Sequence, residues 1–475
     1  EPLSHEGFLK RVVGGYYKPH PALGDLINRN KVEAYMYPLG TLGFWCQQMA
    51  AGRSGYLTQV GLETYLDPRQ GGGKLNAITT EDLVSLVTLQ GQEYLWYKEL
   101  PITAALIRAT TADEDGNLSL EEETLTMSIL YQALAAKRSG GVVIAQVKKL
   151  VPAGSIHPRM VVVPGFLVDC LVVDPDQHVN EATPDRDWLR QTERVPRPPA
   201  PVLVSPDAEV WKQWLLEARL SPQALDNPYP LSADKLIARR AALEFKRGEV
   251  VNVGAGPPLR NINPVAMEED IDEDIELTSE TGVVGGINNG SGLNINVRYY
   301  FDTPGIFSFY NAGLITTTYL GMLDFDRQGN VNNMKYGDTW VGPGGSIDIA
   351  HNVRKIVFVG TFSAGGLKTE ASDGRLAIVQ EGSSPRAVDR VQWVCFNGPK
   401  MFREGKEVLY ITERAVFKLS AQGPLLTEVA PGVDIERDVI GRMGFRPAIA
   451  RDLRPMDGRI FRRGLMGLGR LMNLS

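Results

Sequence analysis

The residues with the greatest chemical potential lie in the second half of the chain. Asp274-Ile275-Glu276-Leu277-Thr278-Ser279-Glu280-Thr281-Gly282-Val283-Val284-Gly285-Gly286 reads as a strand that ends at Glu280 and runs into a Gly-rich turn. Ligands of open α/β sheets bind at the carboxyl ends of strands, and a carboxylate there can act as a covalent nucleophile. Alone, the same stretch also describes a solvated glutamate at a turn. Three more Gly-rich turns share this half. Val250-Val251-Asn252-Val253-Gly254-Ala255-Gly256-Pro257-Pro258 carries a strand into a turn where backbone amides can approach a phosphate or a pantetheine chain. It lacks the third glycine of a dinucleotide fingerprint. Gly342-Pro343-Gly344-Gly345-Ser346-Ile347-Asp348 and Gly360-Thr361-Phe362-Ser363-Ala364-Gly365-Gly366-Leu367-Lys368 adjoin strands and could offer amides to an oxyanion. Each is more readily a structural turn when taken singly. Their weight comes from sharing one half of the chain with Glu280.

Other patterns lead nowhere chemically. His5-Glu6-Gly7-Phe8-Leu9 begins like a zinc-protease helix but has no second histidine, and the five histidines show no metal-ligand spacing. Thr111 to Glu122 imitates a calcium loop, but Thr111 fills the first ligand position. Neither a phosphate-binding GxxxxGK[ST] loop nor a GxSxG nucleophile elbow occurs. No metal site is expected.

The elements that must position Glu280 follow from hydrophobic patterning. The runs 142–147, 355–359 and 408–411 read as buried strands. Ser119-Leu120-Glu121-Glu122 reads as a capping box opening a helix with Leu125, Ile129 and Ala133 on one face, stopped by Gly140-Gly141. Ser232 is expected to cap a helix through Arg247, closed by Gly248. Helices alternating with continuous apolar strands imply an α/β fold with largely parallel sheets covered by helices. Asp113-Glu114-Asp115-Gly116-Asn117 and Asp326-Arg327-Gln328-Gly329-Asn330 repeat a D-x-x-G-N turn at the same offset ahead of a buried strand, so two related open α/β domains are expected. The expected boundaries are 1–190 and 232–475. A Pro-rich linker, 191–231, separates them and holds a short helix around Trp211–Leu220.

Composition agrees with an ordinary globular protein. Of the 475 residues, 43% are hydrophobic and 22% charged, and the net charge of -6 leaves no basic footprint for nucleic acid. The three cysteines, Cys46, Cys170 and Cys395, are far apart, as in a reduced cytoplasmic protein. No apolar run reaches the ~18 residues of a membrane span.

Taken in order, the second-half motifs resemble the family I coenzyme A transferases, specifically the single-chain acetate/propionate type with two fused subunit-like halves. The residues that carry the resemblance are Ala238-Arg239-Arg240-Ala241-Ala242, Asn252 to Pro258, Thr278 to Gly282 with Gly285-Gly286, Gly344 to Ile349, Gly360 to Leu367, Tyr410-Ile411-Thr412-Glu413-Arg414-Ala415-Val416-Phe417 and Met443-Gly444-Phe445-Arg446-Pro447. In the first half, Val60 to Arg69 and Gly71-Gly72-Gly73-Lys74-Leu75-Asn76 resemble the same family. Position 257 is Pro where the family has an aliphatic residue. Members of the family carry a further Gly-rich strand and turn near the start of the first half, which helps form the acyl side of the site; the sequence here begins beyond that motif.

The resemblance implies that Glu280 passes through an acyl anhydride to a glutamyl-CoA thioester in a ping-pong transfer of CoA from a short-chain acyl-CoA to a carboxylate such as acetate. It implies CoA contacts at Asn252, Gly254, Gly256, Gly365, Gly366 and Lys368, and oxyanion or substrate contacts at Gly344 and Gly345. Acyl-CoA and short-chain carboxylic acids are the implied partners, with no permanently bound cofactor, no nucleic acid, no membrane, and assembly as a homodimer or homotetramer. An acyl-CoA hydrolase on the same scaffold and an impaired CoA-binding protein are the alternatives.

Overall fold

The computed structural model describes residues 2–177 and 231–469, apart from 255–256, 270, 273, 286, 289–293 and 296. The expected linker, except Leu231, and its short helix lie outside the described residues.

The first half opens with a parallel pair, β1 (Arg11–Gly14) and β2 (Glu33–Met36), joined through α1 (Pro21–Asn28). α2 (Leu39–Ala50) follows directly. Its next parallel set is β3 (Ala104–Asp113), β4 (Val142–Val151) and β5 (Cys170–Val173), with α3 (Ile129–Arg138) crossing from β3 to β4. The second half repeats the scheme. α4 (Ala233–Ala242) leads into β6 (Val250–Val253), α5 (Pro257–Glu268) and β7 (Glu276–Thr278). After β8 (Val283–Val284) come α6 (Thr303–Asn311), β9 (Thr317–Gly321), α7 (Ser346–Asn352), β10 (Lys355–Val359) and β11 (Glu407–Ile411).

Strands β7-β6-β9-β10-β11 lie side by side and parallel within a 10-stranded sheet whose flanks are mostly antiparallel. Their spatial order reverses between β6 and β9, the place where open sheets of this kind form a ligand crevice at the strands' carboxyl ends. Within it, β10 and β11 are buried on both faces beyond their first residue, which explains their continuous apolar runs. One core packs α4 and α5 against residues such as Val251, Val253, Val357 and Ile411. The other packs Ile306, Phe307, Tyr310 and Ile349 against Ile356, Phe358 and Tyr410. A third core joins the halves, packing Met334, Trp340 and Ile347 with Tyr35, Met36 and Tyr37.

The two D-x-x-G-N turns have the same construction. The Asp113 carboxylate accepts the Asp115 and Asn117 amides at 3.1 and 2.9 Å, and the Asp326 carboxylate accepts those of Gln328 and Asn330 at 2.9 and 3.0 Å. The Asn117 side-chain oxygen accepts the Gly165 amide, as that of Asn330 accepts the Gly398 amide. Gly116 and Gly329 sit at φ 84° and 80°, where a side chain would be strained. The fold is therefore two related open α/β units, as the repeated turns imply.

Two expected helices are corrected. Ser119 opens no helix: it ends the short strand Leu118–Ser119, and α3 begins only at Ile129. Thr110 Oγ1 takes the Glu122 amide, while the Glu122 carboxylate pairs with Lys148 and Lys149, so long-range partners claim both parts of the supposed capping box. Asp113 and Glu122, two of the acids of the calcium-loop pattern, are thus occupied by amides and lysines. Ser232 does cap its helix, accepting the Lys235 amide at 3.2 Å, but α4 ends at Ala242 instead of Arg247. Phe245 must turn back into the core, where its ring packs at a tilt against Tyr319 with centroids 4.8 Å apart, and the chain leaves the helix to do so.

Candidate active site

The strand expected to end at Glu280 closes two residues before it. β7 closes at Thr278, and Ser279 to Gly282 form a tight turn into β8, with the Ser279 amide donating to Val283 O at 2.9 Å. Gly282, at φ 97°, supplies the left-handed step that reverses the chain. This turn projects from the carboxyl edge of the parallel strands. The Glu280 side chain is 8% exposed.

Beneath the turn lies a closed polar ladder. Asn252 Nδ2 donates to Tyr310 Oη at 3.0 Å, and Tyr310 Oη donates to Thr278 Oγ1 at 3.2 Å. Thr278 Oγ1 donates to Val251 O at 2.9 Å, and Thr318 Oγ1 donates to Asn252 Oδ1 at 2.9 Å. Every rung is buried, so each polar atom needs its partner and the ladder fixes β7, and with it Glu280, against β6 and β9. Burial pushes the Tyr310 phenol up, against its bonds from Thr278 and Asn252, and the Glu280 charge adds to the rise. Tyr310 is therefore a neutral hydroxyl.

The Gly344-Gly345 turn faces Glu280 from the other side. The Gly345 amide donates to Glu280 Oε2, and Gly345 is the N-cap of α7. An amide bonded to a carboxylate favours its ionised form. Gly344 adopts φ 54°. A Cβ there would stand 3.2 and 3.3 Å from the two Glu280 oxygens, and a Cβ on Gly345 would strike Glu280 and the Phe307 ring. Both glycines are required by the close approach of the carboxylate.

Asp348, in the same helix, is 1% exposed. Its oxygens accept the Gly40 amide and Thr41 Oγ1, each at 3.0 Å. Burial, with the Glu280 charge adding to it, pushes its carboxyl up to about 7 against these hydrogen bonds. Two carboxyl groups thus share one poorly solvated region.

The structure gathers the expected residues unevenly. Glu280, Gly344 and Gly345 come together. Asn252 lies wholly buried under them, its amide group spent on Tyr310, Thr278 and Thr318. Gly254 stands at the carboxyl end of β6, its amide donating to Tyr319 O at 2.7 Å. Gly256 lies outside the described residues. Gly365, Gly366 and Lys368 are exposed on a separate hairpin beyond β10. That hairpin is anchored by Glu413, which accepts the Phe362 amide at 2.8 Å, and by fully buried Arg414, which grips Glu381. Tyr310 and Asp348 were not singled out by sequence reasoning. Asp348 had one visible signal: an acid flanked by Ile347, Ile349 and Ala350, an apolar setting that marks a buried carboxyl. No helix among the described residues is long and apolar enough to cross a membrane.

Known proteins resemble the chain over nearly its whole length. The family described as Coenzyme A transferase matches residues 1–174. Acetate CoA-transferase YdiF of Escherichia coli (strain K12) is 39% identical over 469 residues, spanning 98% of this chain and 83% of the relative. Caffeate CoA-transferase of Acetobacterium woodii is 36% identical, spanning 99% and 86%. The solved thioester complex of Escherichia coli O157:H7 acyl-CoA transferase YdiF with CoA superposes with a TM-score of 0.85, at 39% identity, over 98% of this chain and 84% of that one.

Proposed function

The chain belongs to the coenzyme A transferases, and from that premise we propose that Glu280 carries CoA between acids as a covalent glutamyl-CoA thioester. The enzyme transfers CoA to a carboxylate. The observation that carries the finer reading is the buried Glu280 carboxylate, held by the Gly345 amide at the carboxyl edge of the parallel strands.

A Glu280 oxygen attacks the thioester carbonyl carbon. The C–S bond breaks, CoA leaves as thiolate, and a mixed anhydride forms. The thiolate then attacks the Glu280 carbonyl carbon, the C–O bond to the acyl group breaks, and the first acid leaves as its carboxylate. A second carboxylate reverses these steps on the thioester. The same kind of mixed anhydride lies on either side of the glutamyl thioester, as a ping-pong exchange requires.

A carboxylate is a weak nucleophile, so the site must supply the difference. The Gly345 amide donates to a Glu280 oxygen and faces the charge that builds there when the thiolate attacks the Glu280 carbonyl, worth ~3 kcal/mol for such a donor. The carboxyl end of β6 at Gly254 and the Gly365-Gly366 hairpin with exposed Lys368 receive the pantetheine and phosphates; Asn252 supports that edge from below. Binding energy from these remote parts is spent on holding the thioester in line for attack. Exclusion of water from Glu280 favours a carboxylate over water as second acceptor, which supports transfer over hydrolysis. Short acids such as acetate are the proposed acyl substrates, on the strength of the 39% identical acetate CoA-transferase. The same reading makes residues 1–190 and 232–475 the two subunit-like halves of a cytoplasmic homodimer or homotetramer.

Exchange of labelled acetate into acetyl-CoA tests the reading. The protein should catalyse the exchange, and Glu280→Ala should lose at least ~10³-fold of it. Full exchange by Glu280→Ala would refute the assignment.

A further inference from the structure

We infer that Asp348 is a positioning residue that aims the Gly345 amide at Glu280 by gripping the start of α2 from the opposite half of the molecule. The inference rests on the reading of Glu280 as the nucleophile.

Helix α2 begins without a side-chain cap of its own. Its N-cap is Pro38, which offers none, and the first amides of a helix have no partner within it. Partners come instead from the second half. Leu39 N donates to Gly344 O at 2.8 Å, Gly40 N donates to Asp348 Oδ2 at 3.0 Å, and Thr41 Oγ1 donates to Asp348 Oδ1 at 3.0 Å. A carboxylate at a helix N-terminus is favoured by the helix dipole as well as by these bonds. Gly40 is packed so closely that a Cβ would strike both Asp348 and Phe307. The Gly344-Gly345 turn is therefore clamped at two points, its carbonyl by Leu39 and its helix by Asp348. The next amide in the turn is the one that holds Glu280.

The chemistry gives this clamp a second consequence. When Glu280 becomes an ester-like carbonyl it loses its charge, and the neighbouring Asp348 carboxyl is relieved of like-charge repulsion. The groups that sense Asp348 electrostatically are Glu280 on the β7–β8 turn, Tyr56 and Tyr97 on the adjoining strands Gly55–Thr58 and Gln92–Lys98, and Tyr65. The phenols are neutral, so Glu280 is the one among these whose charge changes during turnover.

The test is the rate at which Glu280 takes up CoA from acyl-CoA, trapped by borohydride, in the full-length protein. In Asp348→Asn, one of the two donors meets an amide instead of an acceptor. We expect the labelling rate per folded site to fall ~10- to 100-fold, with KM for acyl-CoA within about twofold and the final labelled fraction near that of the parent. Thr41→Val removes one donor and leaves the carboxylate, and should lower the rate ~3- to 10-fold by the same criterion. A structural role alone would lower the labelled fraction in proportion to misfolded protein and leave the rate per site unchanged. That outcome, or parent-like rates in both variants, overturns the inference. Failure of the parent protein itself to label would instead overturn the assignment of Glu280.

Discussion

Two turns, one in each half, begin with the same geometry and end with different chemistry. Met127 and Gly344 both adopt φ 54°, and each precedes the N-cap of a helix, Ser128 for α3 and Gly345 for α7. Each turn receives the first amide of a helix from the other half. Thr303 N of α6 donates to Met127 O at 3.0 Å, and Leu39 N of α2 donates to Gly344 O at 2.8 Å. The exchange is reciprocal, as expected of two copies of one unit. The first-half turn keeps a side chain in a strained backbone region; the second-half turn carries glycine at both positions, so that Glu280 can reach the Gly345 amide. Capping differs in the same way. α6 is capped by its own Asp302, which accepts the Gly305 amide at 2.7 Å, whereas α2 depends on Asp348. At the place in α3 matching Asp348 stands Tyr131, beside Asp302. The duplicated fold thus supplies the frame, and departures from the duplication mark the site.

The comparison breaks if equivalent changes in the two turns have equal effects. The largest contrast is expected for Gly345→Ala, where the new Cβ must displace Glu280. Its kcat should fall ~10²- to 10³-fold, while Ser128→Ala stays within about twofold by steady-state kinetics. Gly344→Ala should lose about 1–2 kcal/mol in urea unfolding from the left-handed conformation, along with roughly tenfold in kcat. Met127→Gly relieves that strain but loosens the unfolded chain, so its stability should change by less than about 1 kcal/mol and its kcat not at all. Asp302→Ala removes a local cap, and unfolding should report a loss of about 1 kcal/mol. The smallest expected effect is on pH dependence. The Asp348 carboxyl binds its proton more tightly folded than unfolded, so its contribution to stability is present at acid pH and is lost as pH rises toward about 7. Asp348→Asn lacks that loss. The difference in Tm, variant minus parent, should be more positive at pH 8 than at pH 5.

The strands were legible because burial on both faces writes continuous apolar runs, as at 355–359 and 250–253. The duplication was legible because the D-x-x-G-N turn needs an acceptor at its start, a left-handed glycine and an asparagine at its end. The helix expected from Ser119 failed for a physical reason: Glu122 found Lys148 and Lys149, partners that no local window contains. Glu280 and the paired glycines could be proposed from their order along the chain. Asp348 and Tyr310 could not, because their roles depend on contacts with Gly40 and with Asn252, which only the folded chain brings near.

The central claim is that Glu280 becomes covalently attached to CoA. The most direct measurement is the mass of the peptide containing Glu280 after brief incubation with acetyl-CoA and acid quenching. The account predicts a peptide heavier by one CoA less water, located at Glu280, and restored to its original mass by free acetate. An unmodified peptide in a protein that is actively transferring CoA would contradict it.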